Sequence, residues 1–141
     1  MAEPLVELER RLPVPPEEVF AYLTDPARYV EWMGTAAELD PKPGGRYRVQ
    51  VGTHVALGEY VEVTTRRIVF TWGWEGSDIV PPGSTMVEIS LTPEAEGTLM
   101  RLRHSGLPAE PDASMHREGW ERYLGRLVSV AAGSDPDDAS D

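Results

Sequence analysis

The sequence predicts an α+β fold in which a curved antiparallel sheet of about seven strands grips a long C-terminal helix. Three observations carry that expectation. Between residues 36 and 107, apolar residues recur with period two in segments whose connections are too short for a parallel crossover. After Leu107-Pro108 the period becomes helical, with Trp120, Tyr123, Leu124, Leu127, Val128 and Ala131 on one stripe. The chain has 141 residues, 40% of them hydrophobic, which suits one domain burying roughly two-thirds of its unfolded surface.

The elements follow in order. Residues 5–12 place Val6, Leu8 and Leu12 opposite Glu7, Glu9 and Arg11, the pattern of a half-buried strand. Pro15-Pro16 with Glu17 and Glu18 suits a helix start, because proline fits the first turn and acidic side chains meet the positive end of the dipole. Val19, Phe20 and Leu23 form its apolar stripe; Asp25-Pro26 breaks it, and a second short helix through Tyr29 to Trp32 precedes Gly34. The meander begins with Tyr47, Val49 and Val51. Residues 55–63 come next, then Ile68, Phe70, Trp72 and Trp74, then Val87, Ile89 and Leu91, then Met100 and Leu102. The breaks between strands are firmest at Pro43-Gly44-Gly45 and Pro81-Pro82-Gly83. Asp112 or Ser114 suits the cap of the last helix, and Gly133 its stop. The organisation expected is one domain over residues 1–132 and an acidic, disordered tail over 133–141.

Composition excludes several chemistries. Without cysteine there is no disulfide, thiolate nucleophile or cysteine-ligated metal. A formal charge of −11, with Asp135, Asp137, Asp138 and Asp141 in the tail, argues against nucleic acid and anionic membranes as partners. Glu3, Glu7 and Glu9 interrupt the start where a secretory leader needs a basic and then an apolar run, and no stretch approaches a membrane span of about 20 apolar residues. The expected location is the cytoplasm.

Five strings then carry a family resemblance: PPEEVFAYLTDP at 15–26, PGGRYRV at 43–49, RRIVFTWGWE at 66–75, GTLMRLRHSGLP at 97–108 and HREGWERYLGRL at 116–127. In this order the chain resembles the SRPBCC superfamily, also called START-like or birch-pollen-allergen-like. Within it, the strings are similar to the branch of homologues of the activator of the heat-shock-protein-ninety ATPase. The resemblance implies a helix-grip fold with two short helices after strand one and a cavity between sheet and last helix. It implies no single activity, since such folds serve as carriers, cyclases, receptors and cochaperone domains.

The candidate site is therefore that cavity. Its expected wall is Trp72, Trp74, Met100, Leu102, Trp120, Tyr123 and Leu124, which as an aromatic set reads equally well as packed core. Glu59 shares the parity of Leu57, Val61 and Val63, so it faces inward as a polar anchor unless a bulge at Gly58 turns Tyr60 in and Glu59 out. His104 continues the inward parity of Met100 and Leu102, and His116 lies one turn before Trp120; each is a structural histidine or a ligand contact or general base. No histidine spacing suits a metal, no Gly-x-Ser-x-Gly elbow exists, and no cofactor is expected. The leading function is binding of a hydrophobic small molecule, lipid-like or aromatic. The alternatives are a cyclase-, hydrolase- or lyase-like enzyme using His104 or Glu59, and a protein-interaction or cochaperone-like module acting through the outer sheet face. Monomer and homodimer remain open.

Overall fold

A computed structural model describes residues 4–133. The expected acidic tail lies outside the described residues apart from Gly133. Strand β1 (Val6–Leu12) leads into helices α1 (Pro16–Thr24) and α2 (Pro26–Tyr29). Strands β2 (Ala36–Leu39), β3 (Arg46–Val51), β4 (His54–Val63), β5 (Arg67–Trp72), β6 (Thr85–Glu94) and β7 (Gly97–Ser105) then run to helix α3 (Glu110–Ala131). The seven strands form one curved antiparallel sheet in the order β1-β7-β6-β5-β4-β3-β2, so a six-strand meander is joined at its far end by the first strand. The fold is the expected α+β helix grip. Among the described residues no helix is long and apolar enough to cross a membrane.

The helices form where local chemistry starts and stops them. Pro16 opens α1, with Glu17 and Glu18 in its first turn. Asp25 ends α1 and caps α2, accepting from the Ala27 N–H at 3.0 Å. The second helix is earlier and shorter than expected, because Pro26 starts it and the chain turns after Tyr29. Helix α3 begins at Glu110, ahead of the expected caps; Ala109 is its N-cap without a side-chain bond, and proline with Glu110 and Asp112 suits the first turn. It stops at Gly133, whose φ of +80° lets its N–H return to the Val130 carbonyl.

Helix α3 buries Ala113, His116, Trp120, Leu124 and Leu127 against the sheet. Facing it, β6 contributes Val87, Ile89 and Leu91, and β7 contributes Met100, Leu102 and His104, each line alternating with polar residues on the wet face. Burial of each large aliphatic chain stabilises the fold by ~1.5–3 kcal/mol. Tyr29, Trp32, Tyr47, Tyr60 and Phe70 fill the other end of the grip, where Tyr47 stacks on Phe70 at 4.2 Å between centroids.

Strand β4 corrects the sequence reading. Its register with β5 shifts between Tyr60 and Glu62, so Tyr60 (opposite Phe70) and Val63 (opposite Ile68) both face the core although three residues apart. N-terminal to that bulge, Ala56 and Tyr60 point in and Glu59 is exposed. Gly58 is not the bulge. It is where two backbones meet, since a Cβ there would lie 1.8 Å from the Thr71 carbonyl oxygen.

Candidate functional site

Both indoles of the β5 end are set by backbone chemistry. Trp72 is the last residue of the strand, and Gly73 lets the chain pass close to Pro81, where a Cβ would fall 1.8 Å from the carbonyl oxygen. Trp74 then bridges to Ala56 of β4, with its N–H bonded to the Val80 carbonyl. From the other side α3 presents Trp120 and His116. The rings of Trp72 and Trp74 meet edge-on at 5.2 Å, and Trp120 leans on Trp72 at 5.3 Å.

Between these elements lies a pocket of about 590 Å³, open to solvent on one side. Its aromatic wall is Trp72, Trp74, Trp120 and Tyr123, with His116 and His54; Met33, Val51, Met115 and Gly119 supply most of the rest, and Glu75, Gly76 and Ser77 form a loop at the edge. No lysine or arginine lines it among the described residues.

The two buried histidines are fixed by tautomer logic. The Thr85 hydroxyl has one proton, which it donates to the Trp72 carbonyl at 2.7 Å, so it accepts from His104 Nε2–H at 2.8 Å. Trp120 Nε1–H donates to His104 Nδ1 at 3.0 Å. His104 is therefore the Nε2–H tautomer, neutral and fully engaged. His116 is the mirror case: Nδ1–H donates to the Asp112 carbonyl at 2.7 Å, and Nε2 accepts from Trp74 Nε1–H at 3.0 Å. Burial and, secondarily, the charge of His116 push His104 down to about 3. Burial also lowers His116, opposed by its bond to Asp112. The two rings meet edge-on at 5.1 Å. Neither has a lone pair free to take a proton from a substrate, and among the described residues no group of three or more metal-binding side chains exists.

Five of the ten candidate residues line the pocket: Trp72, Trp74, His116, Trp120 and Tyr123. Met100, Leu102 and Leu124 face inward as expected but are packed in the core, 1–2% exposed and outside the lining. His104 sits behind Trp72 and Trp120, and Glu59 lies on the wet face of β4. Sequence reasoning missed Met33, Val51, His54, Met115 and Gly119. Met115, Gly119 and Tyr123 follow at i, i+4 and i+8, so a helical wheel places them beside the apolar stripe; Met33, Val51 and His54 come from strand ends and turns that only the tertiary fold assembles.

One indole differs from the rest. Trp32 Nε1–H donates to the Tyr22 carbonyl at 2.9 Å, and Trp74 and Trp120 donate to the histidines, but Trp72 Nε1–H is buried without a hydrogen-bond partner among the described residues.

Comparison with known proteins follows the same outline. The family model described as activator of Hsp90 ATPase homolog 1-like protein matches residues 13–132. An AHSA1-like protein from Rhizobium etli is 51% identical, with 94% of this chain and 84% of that one covered and a TM-score of 0.76. CalU16 from Micromonospora echinospora is 26% identical over 96% of this chain and 83% of its own, TM-score 0.77. DynU16, described as a putative protein in the dynemicin biosynthetic locus, is 28% identical over 96% of this chain and half of its own length, TM-score 0.80. No curated protein matches. The chain belongs to the family of proteins like homologue 1 of the activator of the Hsp90 ATPase.

Proposed function

We propose that residues 1–132 act as one domain, a cytoplasmic monomer or homodimer, that binds a hydrophobic small molecule in the pocket between β5 and α3. The observation that carries this reading is the wall itself: three indoles, a phenol ring and two thioethers around about 590 Å³ of space. That is the usual size and lining of a small-molecule site, and the paired indoles and histidines hold it pre-formed. The likeness to DynU16 supports the reading more weakly, through its place in a biosynthetic locus. Acid–base catalysis by His104, His116 or Glu59 finds little support, because the lone pairs of the two buried histidines are engaged and Glu59 faces solvent.

Native mass spectrometry of gently purified protein tests the proposal, together with a thermal-shift screen of lipids and aromatic polyketides. The expected result is a bound species that raises the melting temperature. If no compound stabilises the protein, and a probe-sized gas such as xenon finds no site, the proposal fails.

A further inference from the structure

We infer that His54 selects the polar end of the ligand, and that the ligand is an uncharged molecule with an apolar body and a hydroxyl group bound to the His54 imidazole. The inference rests on the proposed ligand-binding role and adds to it a head group and the residue that reads it.

An apolar wall gives affinity, so recognition falls to the polar side chains that a ligand can reach. Most of those in the lining are already engaged. Trp74 and Trp120 give their N–H groups to His116 and His104, the other His116 nitrogen donates to the Asp112 carbonyl, and Trp72 Nε1 is buried out of reach. The Ser77 hydroxyl oxygen accepts from the backbone N–H groups of Ile79 and Val80. His54, Glu75 and Tyr123 are left.

Of these three, His54 is the one that the fold both aims and holds. Ala56 bridges to Trp74, and His54, two residues earlier on β4, shares their side of the strand; Glu75 alternates with Trp74 and belongs to the other side. The His54 ring stands edge-on to Trp74, 6.0 Å between centroids and 70° between planes, and Trp74 is itself fixed by its bonds to His116 and Val80. Behind His54 a tight turn through Gly52, at a φ of +62°, pairs it with Val51. His54 is exposed in this lining position, and among the described residues neither ring nitrogen has a hydrogen-bond partner. The Tyr123 phenol has no hydrogen bond or ring contact among the described residues to orient it.

The chemistry of the head group follows. A neutral imidazole presents one donor and one acceptor nitrogen, and a hydroxyl group can meet either. An anion would lose hydration with no lysine or arginine in the lining to receive it. A hydrocarbon gains nothing from His54.

Three probes sharing one ring system separate these terms: 2-naphthalenemethanol, 2-ethylnaphthalene and 2-naphthoate. Each is titrated by calorimetry into the wild type, His54→Phe, which keeps a ring against Trp74 without its nitrogens, and His54→Gln, which keeps a donor and an acceptor. Intermolecular Overhauser contacts of the alcohol are recorded with the wild type. The expected alcohol-to-ethyl affinity ratio is about fivefold higher in the wild type than in His54→Phe, with part of it restored in His54→Gln and the carboxylate weakest throughout. The carbinol protons then contact the His54 ring, a result that stands even if His54→Phe folds poorly. Equal ratios in the wild type and folded His54→Phe, or carbinol protons that contact α3 alone, overturn the inference and leave the pocket reading intact. A carboxylate that binds tightest overturns the uncharged head group. No saturable binding of any probe, with all aromatic resonances fixed, removes both the inference and the reading beneath it.

Discussion

The neutral, doubly engaged state of His104 has a measurable consequence for stability in mild acid. Its pKa of about 3 in the fold lies below the ordinary value of 6.5 that it regains on unfolding. The unfolded chain therefore takes up the proton first, and stability that is complete above pH 6.5 falls as the pH drops from there toward 3. At pH 5 the gap is about 1.5 units, which at 1.36 kcal/mol per unit is a loss of ~2 kcal/mol from this one group. That is a large fraction of the ~5–15 kcal/mol that holds a domain of this size. The assay is urea unfolding followed by tryptophan fluorescence at pH 7.5, 6 and 5, for the wild type and His104→Gln. Carboxylates titrate in both proteins and cancel in the comparison, while the part of the difference that comes from the charge of His116 belongs to the same histidine pair. We expect His104→Gln to be less stable at pH 7.5 but to lose about 2 kcal/mol less than the wild type on going to pH 5. Equal losses in the two proteins would refute the assignment, as would a doubly protonated His104 ring in the folded state at pH 5.

Three further substitutions probe the pocket and the sheet. Gly119 lines the pocket from within α3, and a Cβ there meets nothing within 4 Å; Gly119→Leu should raise stability by ~0.5–1 kcal/mol through helix propensity while weakening ligand binding at least about tenfold, read by thermal shift with and without ligand. Trp120→Ala removes a side chain 3% exposed and strands the Nδ1 of His104, so chemical denaturation should show a loss of ~3–5 kcal/mol. Gly58→Ala forces a Cβ against the Thr71 carbonyl and should cost ~1–3 kcal/mol, with the largest amide shifts in β4 and β5.

Much of the fold was readable because each strand of the meander has one wet face, and Val87, Ile89 and Leu91 or Met100 and Leu102 declare it by simple alternation. The failures have local causes. One extra residue after Tyr60 flips the parity of β4, so Val63 reported the inward face correctly while Leu57 and Val61 did not; Val61 is 48% exposed. The start of α3 was placed too late because Ala109 caps it without a side chain that a sequence reader would recognise. The site was half legible. Parity says that Leu102 and Leu124 point inward, but not that the cavity ends before it reaches them. Three other lining residues, Met33, Val51 and His54, belong to turns and strand ends with no periodic pattern of their own.

The position of β1 in the sheet also sets an order of assembly. Among the described residues its only ladder partner is β7, with Val6 opposite His104 and Leu12 opposite Thr98, so the first strand of the sheet waits for the last. The hairpins of the meander close over loops of two to twelve residues, whereas this pairing must close a loop of most of the chain, and the entropy of doing so comes before any contact rewards it. As the chain leaves the ribosome, the meander can zip up hairpin by hairpin while Val6 and Leu12 remain uncovered. The β1–β7 pairing, and α3 closing over it, then complete the core together. Substitutions in β1 are thus expected to speed unfolding more than they slow folding, the mark of a strand that docks after the rate-limiting step.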